Sequence, residues 1–243
     1  MTEYLAENPA QVENGRDPRW TEQLVELAVF LLIILPPNVI YFYMYFFKIR
    51  GAWAPGLGDF RLFAISSICS DFGLVGLICF FLWRNGEPFQ TLGWNFNKGW
   101  RDIGLGFLIY SPFILMMVLW KTTGSSVHLK TLSFFLAAGA KVRGELLLAF
   151  LLVVVTALSE EIIFRGYLIL RLKAITASSG TAVWLSAVVF ALGHGWKGAA
   201  GVIGAGLVGL LYGAVFLRRQ SLVAPITMHF IADMGIILIP LFG

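Results

Sequence analysis

Leu24 to Phe47 is a mainly apolar run long enough to cross a bilayer, and further runs of this kind follow it along the chain. A spanning helix needs about 20 such residues. In lipid, only helices and closed barrels satisfy their own backbone hydrogen bonds. The later runs are 60–83, 103–120, 145–170, 181–193, 199–217 and 222–242. The sequence is 58% hydrophobic and only 13% charged, where a soluble domain carries roughly 25% charged residues. The expected fold is therefore all-α, a polytopic transmembrane helix bundle. Thr131 to Ala140 is apolar but too short to cross alone. It reads as an interfacial or re-entrant helix, or as the piece that makes eight spans of seven.

Residues 1–23 are polar and hold the acids Glu3, Glu7, Glu13, Asp17 and Glu22. A signal peptide needs a basic start and a short apolar core instead. Residues 24–143 read as N-terminal transmembrane helices with interfacial loops, and 144–243 as a four-helix membrane core. Pro36-Pro37 should kink the first span, which ends in aromatic residues followed by Lys48 and Arg50, a membrane boundary. The third span contains Pro112, and Arg84 to Arg101 reads as an interfacial loop. In the sixth span Gly201, Ala205, Gly209 and Gly213 recur every four residues, a small face that lets a neighbouring helix approach closely. Lys and Arg are shared almost evenly between the two sides, so the positive-inside rule assigns no orientation. The net charge of +4 fits basic residues flanking helices and gives no footprint for nucleic acid. Cys69 and Cys79 stand about 15 Å apart along one helix and are expected as free thiols.

Polar groups inside such spans are costly and mark function or pairing. The fourth span carries Ser159-Glu160-Glu161-Ile162-Ile163-Phe164-Arg165. Glu161 and Arg165 are four residues apart with the acid first, the favourable order for a helical ion pair. Glu160 points about 100° away from Glu161 on a 3.6-residue helix. Arg165 is expected to fix Glu161 and leave Glu160 for chemistry. His194 closes the fifth span in Phe190-Ala191-Leu192-Gly193-His194. His229 and Asp233 share one face of the seventh span. There the carboxylate can hold a ring nitrogen and fix the tautomer. Pro225, one turn earlier, is expected to open the helix and free a carbonyl. Asp71 in the second span has no partner evident from sequence, and His128 lies in a polar linker. If these groups converge, they suit activation of water against a carbonyl.

Glu160-Glu161-x-x-x-Arg165, Phe190-x-x-x-His194 and His229-x-x-x-Asp233, in that order on successive helices, resemble the CPBP family. These are CaaX prenyl endopeptidases and bacteriocin-processing or immunity proteins, also called Abi intramembrane proteases. The resemblance covers roughly residues 145–240. It implies a CaaX-protease-like catalytic core whose cavity opens toward one membrane face. It also implies that Glu160 is the general base with His194 as its partner on the water. His229 and Asp233 would stand near the scissile carbonyl, with Glu161 and Arg165 supporting the site. If the enzyme uses a divalent metal such as zinc, Glu160, His194 and His229 are the ligands in view. No His-Glu-x-x-His is present, so a zincin site is not indicated. Family members of the eukaryotic type carry Asn where this chain has Asp233. An ionised Asp accepts hydrogen bonds but cannot donate them. Asp233 is thus a protonated donor, an orienter of His229 or a metal ligand.

The expected activity is an intramembrane endopeptidase acting on a membrane-associated protein or peptide, in a bacterial inner membrane. The alternatives are a non-catalytic immunity or scaffold protein of the same family, and a proton-coupled transporter, since buried Glu, Asp and His also build proton relays.

Overall fold

A computed structural model of the chain describes residues 20–46, 60–97, 99–122, 145–195 and 198–238. All regular structure among these is helical. Helix α1 spans Trp20–Phe46, α2 Phe60–Arg84 and α3 Gly99–Thr122. Helix α4, Leu146–Glu161, continues through a π-helical stretch, Ile162–Leu168, into α5, Ile169–Thr176. Then come α6, Ser179–Gly193, α7, Gly198–Arg219, and α8, Val223–Leu238. Among the described residues four helical segments are long and apolar enough to cross a membrane: Trp20–Pro37, Phe60–Arg84, Leu146–Thr176 and Gly198–Arg219. Ser179–Gly193 is apolar but shorter. Thr131 to Ala140, the candidate eighth span, lies outside the described residues, as does His128.

The helix junctions follow from local chemistry. After α5, Ala177 takes a left-handed backbone, φ 52°, and the Ser178 side chain accepts from the Thr181 amide at the start of α6. After α7 the device is repeated: Gln220 has φ 51° and Ser221 Oγ accepts from the Val223 amide at 3.2 Å. A serine in that place satisfies one of the orphan amides of a helix start. This start also corrects the expectation for Pro225. It lies in the first turn of α8, where a missing N–H breaks no intrahelical bond, and Ile226 N–H donates to Leu222 O at 2.9 Å immediately beyond it. The α8 helix is not opened there. Helix α1 contains Pro36 and Pro37 in its interior.

Packing places the small-residue face of α7 against α6. A Cβ on Gly209 would stand 3.1 Å from Ala187 Cα, and one on Gly213 only 2.7 Å from Val183 Cγ1. The outward residues Trp184, Ile203 and Leu207 are exposed and apolar, as a lipid-facing surface requires. Ion pairs close the ends of the bundle. Glu26 of α1, 1% exposed, binds Arg84 at 2.6 Å and Arg171 at 3.3 Å. Arg171 also donates to both oxygens of Glu87 at 2.9–3.0 Å, and Arg219 binds Asp102 at 2.6 Å. At the other end Arg61 pairs with Glu145. The loop before α3 contains one short turn, Phe89–Leu92, and is tied to the start of α8 by Leu222 N–H to Gly93 O and Ser221 Oγ to Asn95 O, each 3.0 Å. Cys69 and Cys79 are free, as expected.

Candidate active site

The site is built from the C-terminal turn of α4 outward. Glu160 and Glu161 end α4, and the next seven residues form the π stretch. Such stretches recur at functional sites and leave backbone groups to be satisfied from elsewhere. Here Ser186 Oγ of α6 donates to Phe164 O at 2.7 Å. The wider turn still brings Arg165 under Glu161: Nη1 donates to Oε1 at 2.7 Å. Both side chains are buried, 1% and 0% exposed. The guanidinium lies between two aromatic faces, with Cζ 4.5 Å from the Phe190 ring and 5.1 Å from that of Tyr212. The expected pair is present.

The same Glu161 Oε1 receives a second hydrogen bond, from His229 Nδ1 at 2.8 Å. This bond to His229 from the neighbouring acid of the pair was not read from the sequence, and Asp233 stays on the other side of the ring. Arg165, Glu161 and His229 form a relay across α4 and α8, and Glu161 fixes which ring nitrogen carries a proton. The opposite nitrogen, Nε2, faces Glu160 Oε2 at 3.6 Å and Asp233 Oδ2 at 3.5 Å. Those two carboxylates are partly exposed, 25% and 30%, while the His229 side chain is 8% exposed. The buried half of the cluster is thus the relay, and the open half is the pair of acids around Nε2. These contacts are longer than an ordinary N–H···O hydrogen bond.

His194 joins the cluster through Phe190. Its Nδ1 donates to Phe190 O at 2.9 Å, which leaves Nε2 with a lone pair when the ring is neutral. Its ring lies 4.6 Å from the Phe190 ring, and Phe190 lies 6.3 Å from His229. Phe190 is therefore the common wall between the two imidazoles and Arg165. Asp71 gains a partner that the sequence did not disclose: Thr156 Oγ1 donates to it at 3.2 Å. Thr156 precedes Glu160 by four residues, so Asp71 stands one helical turn from the general-base candidate. Tyr212, 5.9 Å from the His229 ring, also went unread; an aromatic in a Gly-rich span carries no signal beyond packing.

Among the described residues no three or more His, Cys, Asp or Glu side chains are arranged to hold a metal. No step below runs through a metal.

Buried acids and imidazoles on several apolar helices define a polytopic helical membrane protein with a carboxylate–imidazole centre. Residues 142–235, from just before α4 through most of α8, match the family model of type II CAAX prenyl endopeptidase Rce1-like proteins. Over this segment the chain is similar to Rce1-like proteins, in accord with the CPBP resemblance of the three motifs. No curated protein and no solved structure matches the chain. The matched family is one of membrane endopeptidases, and the long apolar helices make the chain an integral membrane protein.

Proposed function

We propose that this chain is an intramembrane endopeptidase that hydrolyses a peptide bond of a membrane-associated protein or peptide. The observation that carries the reading is the relay from Arg165 through Glu161 to His229, which aims Nε2 between Glu160 and Asp233. Partners are the substrate and the surrounding bilayer, in a bacterial inner membrane; nucleic acid has no place in the scheme.

Glu160 is the general base. A carboxylate within one water of the reacting carbonyl is suited to that task. It takes a proton from a water whose second hydrogen is accepted by His194 Nε2. The water oxygen bonds to the carbonyl carbon while the π pair moves onto the carbonyl oxygen. His229, when protonated, donates from Nε2 to that oxygen, and Glu161 keeps the ring in place. Collapse re-forms the carbonyl and breaks the C–N bond, and Glu160 returns the proton to the leaving nitrogen. Asp233 stands beside Nε2 as an acceptor and completes the orientation of the ring.

The test is cleavage by the purified full chain, reconstituted in liposomes with a quenched-fluorescent peptide library that includes lipidated members, with products identified by mass. The expected result is defined cleavage by the wild type and none by Glu160→Gln. Equal cleavage by both, or none by either across the library, contradicts the proposal.

A further inference from the structure

The open half of the site is rich in acceptors and poor in donors. Glu160 and Asp233 are carboxylates, which when ionised only accept. His229 Nδ1–H is already donated to Glu161. An oxygen that gains negative charge beside Nε2 therefore meets at most one hydrogen from the imidazole, with two acids close by. Stabilisation of such an oxygen depends on donors placed in advance.

Tyr212 of α7 supplies the missing group. The residue is 1% exposed, and its hydroxyl is buried with no hydrogen-bond partner among the described residues. A buried hydroxyl of that kind calls for an explanation such as a catalytic role. The ring packs 5.9 Å from the His229 ring and under the Arg165 guanidinium, so its placement is fixed by the relay itself. Glu161 and Asp233 lie within electrostatic reach of the hydroxyl. Arg165 Nη2 is another buried donor in the cluster, without a hydrogen-bond partner among the described residues. Arg165, however, reaches His229 only through Glu161 Oε1, which it shares with Nδ1, and so stands behind the relay. Gly209 and Gly213 flank Tyr212 and let α7 press onto α6, which holds the ring at this depth.

We propose that the Tyr212 hydroxyl is a catalytic donor that binds the substrate's carbonyl oxygen as it becomes an oxyanion, opposite the His229 Nε2–H. This rests on the endopeptidase reading. When water oxygen bonds to the carbonyl carbon, the displaced π pair is held between these two hydrogens. When the C–N bond breaks, the pair returns and the Tyr212 proton stays on its own oxygen. No proton is lost or gained by Tyr212 in the cycle.

The test is Tyr212→Phe, which keeps the ring between His229 and Arg165 and removes one oxygen. The probes are the library peptide that the wild type cleaves fastest and the aldehyde analogue of that peptide, whose hydrate mimics the tetrahedral intermediate. Wild type and Glu160→Gln are run beside it, so an inactive wild type indicts the endopeptidase reading and not this residue. The expected result is a kcat lower by roughly 10²-fold, a KM within about twofold and an unchanged melting temperature. Inhibition by the aldehyde should weaken by about the same factor as kcat falls. A kcat within threefold of wild type overturns the proposal, as does equal weakening of substrate and aldehyde binding. A variant that no longer folds also overturns it, since the hydroxyl would then be a structural group.

Discussion

Replacing Glu161 by Gln separates what the buried acid does for the fold from what it does for His229. Glu161 and Arg165 are buried together, with Nη1 2.7 Å from Oε1. Gln keeps the shape but removes the charge, leaving the guanidinium buried without a counter-ion. Breaking such a pair costs roughly 3–5 kcal/mol, which at about 2–4 °C per kcal/mol lowers Tm by roughly 6–20 °C. The same change takes the charged acceptor from His229 Nδ1. Loss of a carboxylate that orients a functional imidazole costs about 10–100-fold, and cleavage by the folded fraction should fall on that scale. The double variant Glu161→Leu/Arg165→Met divides the two effects. Removing both charges in favour of apolar groups is often neutral or better for stability, so Tm should return to within about 5 °C of wild type. Cleavage should not return, because Nδ1 still lacks its acceptor. Circular dichroism melts and initial rates on the same detergent preparations measure both. A Glu161→Gln protein that melts with the wild type, or a double variant that regains cleavage, refutes the reasoning.

Asp233→Asn should keep kcat/KM within about tenfold of wild type, since Nε2 retains Glu160 at 3.6 Å and Nδ1 retains Glu161; a collapse to the level of Glu160→Gln would make Asp233 the central acid. Ser186→Ala should lower stability by about 1 kcal/mol, because Phe164 O in the π stretch loses its donor, and a melt identical to wild type would count against that assignment. Gly213→Leu should destabilise by about 1–3 kcal/mol through overpacking against Val183; an unchanged Tm would mean that α6 and α7 do not meet there. Treatment with 1,10-phenanthroline should leave the cleavage rate unchanged, and an inhibition reversed by added zinc would show that a metal takes part in the reaction.

Much of the bundle was legible because lipid imposes length and composition on every crossing. The run 60–83 became α2, Phe60–Arg84, and 199–217 became α7, Gly198–Arg219. The Glu161–Arg165 pair was legible because its partners are four residues apart on one element. The bond from His229 to Glu161 was not, because it joins α4 to α8 across 68 residues, and only packing decides which of two adjacent acids faces the ring. Asp71 and Thr156 are separated by 85 residues and met the same limit. Pro225 misled because its effect depends on where α8 begins: it breaks a helix interior but fits a first turn. Tyr212 was hidden by type, since an aromatic beside glycines in an apolar span reads as packing until its ring is seen 5.9 Å from that of His229 with its hydroxyl buried.

The central claim is that Glu160 activates water and does not itself attack the carbonyl. Single-turnover cleavage in H₂¹⁸O, with enzyme in excess, tests it most directly, because the oxygen that enters the product is read by mass. The account predicts one ¹⁸O in the new C-terminal carboxylate and none in the Glu160 side chain when the enzyme is digested and mapped. Label found in the Glu160 carboxylate after one turnover would mean that this residue bonded to the substrate, and would contradict the account.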